Sequence, residues 1–158
     1  MDADMKKKVL RQITYGLYVA SAAHEGQMSA GTVNWVSQAS FGPPLVMMGV
    51  KKDSGLHDTV KKSNSFIVNI LSADQKQLAE DFFRPSTVEG NMVNGHAFTT
   101  GSTGGAVLDE VYSYFECNVT GSIEQGDHSV FVGEVVEVGS RRDDKPLEMW
   151  DTGWFYGG

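Results

Sequence analysis

Residues 32–52 read TVNWVSQASFGPPLVMMGVKK. The stretch opens with small, hydrogen-bonding side chains at Thr32, Asn34, Ser37, Gln38 and Ser40. It turns at Gly42, Pro43 and Pro44 and runs on through apolar residues 45–50 into Lys51 and Lys52. Proline presets φ and glycine tolerates unusual backbone, so the three together make a turn. Bounded by Pro44 and Lys51, the apolar run predicts a strand buried on both faces. Short polar side chains and free backbone groups ahead of it can approach a flat ring closely, and the lysines arrive where an anion would sit. The stretch therefore suits a planar, negatively charged ligand.

On the N-terminal side, residues 6–12 predict a short helix leading into a strand over residues 15–23. Gly26 marks a hairpin turn that returns the chain over residues 28–36. Beyond Lys52, the sequence Asp53-Ser54-Gly55 offers N-cap residues for a helix over residues 56–62. The positive end of that helix would point back toward the lysines. Residues 66–71, Phe-Ile-Val-Asn-Ile-Leu, predict a further buried strand. Ser72 and Gln75 form a capping-box pattern before a helix whose one face carries Leu78, Ala79, Phe82 and Phe83, ended by Arg84-Pro85. Periodicity vanishes over residues 86–105, which predicts a long surface excursion. Strands over residues 111–119 and 130–138 come next, joined by a turn holding Asp127 and His128. The aromatic end, Trp150 and residues 154–156, is expected to pack against something. About six strands without β-α-β alternation imply a mainly β fold, an antiparallel barrel or sandwich with a few flanking helices.

The chain has 158 residues, 41% hydrophobic and 21% charged, which suits one globular domain over residues 1–158. A formal charge of −7 argues against a nucleic-acid surface. No apolar run approaches the ~20 residues that span a bilayer, and Arg11, Gln12 and Thr14 interrupt what could imitate a secretory signal. Cys117 is the only cysteine, so neither an intrachain disulfide nor a cysteine metal cluster is available, and a cytoplasmic setting is expected. Its alternation with apolar neighbours predicts a buried side chain rather than a nucleophile. His24, His57 and His96 lack ligand spacing, are expected at the surface, and imply no metal site. Residues 101–105, Gly-Ser-Thr-Gly-Gly, lack the lysine and helix of a phosphate loop and read as a flexible turn. His128 follows Asp127 and precedes an apolar strand, so it can stand at the mouth of a pocket. No hydrolytic constellation is present, so any redox chemistry must come from a cofactor.

Several separated segments share one resemblance. WVSQASFGPPLVMMGVKK, residues 66–71, Gln75, Gln77, Leu78, Ala79 and Phe83, and residues 126–135 (GDHSVFVGEV) resemble, in order, the flavin reductase-like family of FMN-binding split-barrel proteins. The likeness runs from about residue 13 to residue 138, and its form is similar to flavoredoxins and to NAD(P)H:flavin oxidoreductases. It implies a Greek-key split β-barrel, a homodimer, and FMN near the dimer interface. Carried over by position, Asn34, Trp35, Gln38, Ala39 and Ser40 would line the flavin ring. Thr32, Lys51, Lys52, Ser54 and His57 would serve its ribityl and phosphate groups, and His128 would lie near the nicotinamide. The implied activity is electron transfer from NADH or NADPH to free flavin or an acceptor protein. The rival readings are an FMN electron carrier of flavoredoxin type without efficient use of NAD(P)H, and a non-redox barrel for another planar ligand.

Overall fold

The computed structural model describes all 158 residues. Seven strands form the main sheet, in the order β2-β1-β5-β10-β11-β4-β3. They are β1 (Tyr18–His24), β2 (Gln27–Val33), β3 (Val36–Ser40), β4 (Leu45–Lys51), β5 (Ser65–Ile70), β10 (Ser113–Ile123) and β11 (His128–Ser140). All pairings are antiparallel. The helices are α1 (Ala3–Leu10), α2 (Gly55–Ser63), α3 (Lys76–Asp81) and α4 (Met149–Thr152). The result is the mainly β split barrel that the family resemblance implies.

Alternation along the strands sends side chains to two cores. In β1, Ala20 and Ala22 face the barrel interior with Val46, Met48, Val50, Phe66, Val68, Cys117 and Phe131. Val19 faces the other way, into an outer core with Leu78, Ala79, Phe82, Leu147 and Met149. Strand β5 lies centrally between β1 and β10 and is buried on both faces, as its unbroken apolar run predicts. Its one polar interruption is satisfied: Asn69 donates to the carbonyls of Val19 and Ala106 and accepts from the Leu108 amide, stitching β5 to a second sheet.

Strand β4 departs from expectation. Val46, Met48 and Val50 point inward, but Met47 is 43% exposed and Leu45 and Gly49 are only half-buried. An apolar run does not reveal whether its second face is covered, and here no layer packs fully over the Leu45, Met47 and Gly49 face. The 86–105 stretch is likewise no structureless excursion. It forms β6 (Val88–Glu89), β7 (Met92–Val93) and β8 (His96–Thr100), which pair with β9 (Ala106–Leu108) as a four-stranded meander. Val93 and Phe98 anchor it in the outer core. Its first two strands have two residues each, too short to show a period.

Other departures are smaller. Phe83 lies beyond the end of α3 and is 58% exposed, because the helix stops at Asp81. The first strand starts at Tyr18 rather than residue 15, Gly16 instead bridging to Glu148. At the C-terminal end Leu147, Met149 and Trp154 pack on the outer core as expected, while Trp150, Phe155 and Tyr156 make contacts on one side and stay about half exposed. Two histidines expected at the surface are mostly enclosed. His57 is buried and hydrogen-bonds Ser129 Oγ at 2.8 Å, and His96 sits between Glu110 (2.7 Å) and Asp81 (3.0 Å).

Candidate functional site

A cleft of ≈ 1090 Å³ opens between β2, the first turn of α2, residues 82–86 and the segment after α4. Register places its walls. Antiparallel pairing of β11 with β4 sets His128 opposite Lys51 and Val130 opposite Gly49. The Gly-Asp-His turn and the double lysine, far apart in sequence, thereby meet at one end of the barrel.

Ser54 caps α2: its Oγ accepts from the His57 amide at 3.2 Å and donates to the Lys51 carbonyl at 2.7 Å. That leaves the Gly55 and Leu56 amides without intrahelical partners, in a turn whose residues line the cleft. Arg11, Lys51 and Arg84 bring cations to the same cleft in a chain whose net charge is −7. Lys51 Nζ lies 3.0 Å from Asp53, whose hydrogen bond and charge hold the ammonium above its usual range. A phosphate can therefore be held here by amides, a helix end and cations together.

Beside Lys51 stands an aromatic group. His128 Nδ1 is 2.8 Å from Asp127 Oδ1, and Nε2 is 2.7 Å from the Tyr156 hydroxyl. The hydrogen bond to His128, and then its charge, hold the Asp127 carboxyl below its usual range. Burial is the main cause that pushes the Tyr156 phenol up, with Lys51 opposing it. In the neutral imidazole, Nδ1–H then donates to the carboxylate and Nε2 accepts from the phenol. Trp35 lies against this group, its ring 4.5 Å from His128 and 5.5 Å from Tyr156. The indole Nε1 is buried without a hydrogen-bond partner.

Of the residues singled out from sequence, Thr32, Asn34, Lys51, Ser54 and His128 line the cleft, with Trp35 against its aromatic end. Thr32 Oγ1 donates to the Ala79 carbonyl at 2.6 Å, and Asn34 Nδ2 to Met149 Sδ at 3.2 Å, so both are held by the helical layer outside the barrel. The others stand elsewhere. Gln38, Ala39 and Ser40 lie on the edge strand β3, outside this wall. Lys52 turns away to the Glu124 carbonyl at 2.6 Å. His57 faces the core against Phe131 at 5.4 Å. Burial pushes the Cys117 thiol up to about 12, which leaves it inert, and no group of three or more His, Cys, Asp or Glu side chains could hold a metal ion.

Sequence reasoning missed the wall formed by residues 82–86. Ser86 Oγ accepts from the Ala30 amide (2.7 Å) and donates to the Ala30 carbonyl (2.9 Å), which clips this segment to the outer edge of β2. Only the Arg-Pro-Ser run after an apolar helix face hinted at it. Also missed was the partnership of Tyr156 with His128, 28 residues apart.

The description "Flavin reductase like domain" fits residues 10–157. The reductase component of 4-nitrophenol 4-monooxygenase/4-nitrocatechol 2-monooxygenase from Rhodococcus opacus is 31% identical over 131 residues, 83% of this chain and 69% of that protein. FMN reductase (NADH) SmoA from Agrobacterium fabrum is 31% identical over 146 residues, 89% of this chain and 78% of that protein. The chain spans only 24% of a further relative, Diflavin flavoprotein A 1 from Synechocystis. In fold it is similar to flavin reductase PheA2 with a TM-score of 0.82 and 24% identity, over 99% of this chain and 97% of that one. With the matched region taking in both ends of the cleft, from Arg11 to Tyr156, the chain belongs to the flavin reductase-like family of oxidoreductases.

Proposed function

We propose that this protein takes electrons from NADH or NADPH onto FMN and passes them to free flavin or to an acceptor protein, an oxygenase partner being the natural candidate. The observation that carries the reading is the pairing, in one cleft, of a cation-rimmed helix start with an aromatic wall built on His128 and Trp35. The residues fit the cofactor: the open amides of Gly55 and Leu56 with Lys51 and Arg84 suit its phosphate, and the unpartnered Trp35 Nε1 is a donor still lacking an acceptor. When bound, the flavin supplies the two-electron chemistry. The chain's own part is to neutralise the phosphate, hold the ribityl chain beside Thr32, orient the ring through Asn34, and position the donor against His128.

The similarity to named reductase components favours this reading over a flavoredoxin-type carrier. Homodimerisation is part of the proposal. The edge strand β3 pairs on one side only and is followed by Phe41, which is 93% exposed, so a second copy could bring Gln38, Ala39 and Ser40 to a shared flavin site. We also propose a single domain and a cytoplasmic setting. No helix is long and apolar enough to cross a membrane.

Anaerobic mixing of the flavin-loaded protein with NADH and with NADPH is expected to bleach the flavin absorbance with at least one of them. Bleaching by neither rejects the reductase reading. Lys51→Ala is expected to weaken FMN binding roughly tenfold, since one charge-assisted hydrogen bond is lost, and to leave riboflavin binding nearly untouched. Equal losses for the two ligands would remove Lys51 from the phosphate.

A further inference from the structure

Residues 153–158 form no strand or helix, and residues 153–156 line the cleft. Gly153 closes α4 in the left-handed region, at φ 74°, and redirects the chain. Side chains fasten the segment beyond it. Trp154 meets Phe83 at 5.0 Å and Lys76 at 4.8 Å, Phe155 lies 5.2 Å from the Arg11 guanidinium, and Tyr156 bonds His128. Arg11 Nε also donates to the Gly157 carbonyl at 3.1 Å. Gly157 has φ 81°, and a Cβ there would lie 2.9 Å from Trp35 Cζ2, so the bare backbone rests against the indole. A segment held by a few separate contacts, with Tyr156 still 45% exposed, belongs to the part of a fold that opens locally.

The Tyr156 ring occupies a particular place. It stands edge-on to both partners, 5.5 Å from Trp35 and 5.8 Å from His128, and its hydroxyl takes the one imidazole nitrogen that Asp127 leaves free. Any aromatic ring that is to lie against Trp35 and reach His128 Nε2 must claim that space. We propose that Tyr156 is a displaceable stand-in for the donor ring: it swings away about Gly153 when a nicotinamide enters, and so sets how tightly the nucleotide is held. This inference rests on the reading of His128 and Trp35 as the donor wall. Tyr156 is a positioning residue in this scheme, competing with the donor rather than touching it during transfer.

The test uses the full chain with FMN bound and the non-reducing probes NAD+ and NADP+, with adenosine diphosphate ribose as the control that lacks the ring. Amide hydrogen exchange over residues 153–158 is expected to accelerate with NAD+ or NADP+ and not with the control. In steady state, Tyr156→Ala is expected to lower KM for the reduced nucleotide roughly tenfold and to change kcat far less. Tyr156→Phe, which keeps the ring and loses only the hydroxyl contact, should lower KM roughly threefold. If Tyr156→Ala fails to fold, the exchange measurement and Tyr156→Phe still decide. Tail exchange that is unchanged or slowed by both nucleotides, or equally accelerated by the control, overturns the inference, as does a KM that rises or stays the same. Wild-type protein that bleaches flavin while giving those results loses this inference alone; wild-type protein that bleaches with neither nucleotide loses the donor reading and this inference with it.

Discussion

His128→Ala is expected to lower kcat/KM for flavin reduction by NADH or NADPH roughly a hundredfold, while FMN affinity changes less than about threefold. The asymmetry comes from where the side chain stands. His128 is fixed by Asp127 at 2.8 Å and packed 4.5 Å from the Trp35 ring, at the aromatic end of the cleft. The groups suited to the flavin phosphate, Lys51 and the first turn of α2, are neighbours of His128 in the cleft but are held by contacts of their own, Lys51 by Asp53 and the α2 start by Ser54. Loss of the imidazole therefore loosens the donor's orientation and leaves the phosphate contacts standing. Rapid-mixing reduction rates and an FMN titration on the same variant measure the two effects. A variant that loses FMN more than it loses rate would place His128 on the flavin instead.

A second large effect lies outside the cleft. Glu116 is 1% exposed on β10, and its carboxylate accepts from both the amide and the hydroxyl of Ser102 and of Thr103, at 2.8–3.1 Å. The glycine-rich residues 101–105 are thus a closed cradle for an internal anion and not a loose turn. A Cβ at Gly101 would lie 2.7 Å from Glu116 Oε1, so glycine is what lets the backbone come that close. Glu116→Ala is expected to cost about 3–5 kcal/mol in chemical denaturation, because four donors lose a buried charge. Glu116→Gln, which can accept through one oxygen only, should cost about 1–2 kcal/mol. A cost under ~1 kcal/mol for the alanine variant would show that water serves the four donors as well.

The same carboxylate predicts a pH dependence. Burial pushes Glu116 up, but the hydrogen bonds from Thr103 and Ser102 outweigh it and hold the group below the ordinary 4.5. A folded value below the unfolded one contributes stability that is full above the unfolded value and is lost as pH falls through the folded one. The stability gap between wild type and Glu116→Gln should accordingly narrow as pH drops below 4.5, and a gap that widened would reverse the sign.

The residue pattern by itself determined what depends on neighbours along the chain. Ser54 caps α2 as its spacing indicates, β5 is buried as its apolar run demands, and the Glu25-Gly26 turn pairs His24 with Gln27. The cap and the turn rest on contacts a few residues long, where turn chemistry is written directly in the sequence, and β5 extends as its apolar run indicates although its cover comes from distant segments. The Ser72/Gln75 pair is only half realised: Gln75 Oε1 accepts from the Ser72 amide at 2.9 Å, but α3 begins after Gln75 with no side-chain cap.

Tertiary structure alone decided the rest. Whether the second face of β4 is covered depends on what packs over the sheet there, and Met47 is left 43% exposed. His128 meets Lys51 because antiparallel register joins β11 to β4, and a shift of one residue would turn each side chain to the other face. Tyr156 reaches His128, and Ser102 and Thr103 reach Glu116, across separations of 28, 14 and 13 residues that no local pattern spans. Local propensity sets which segments extend or coil; the packing of two cores sets which of their side chains share a site.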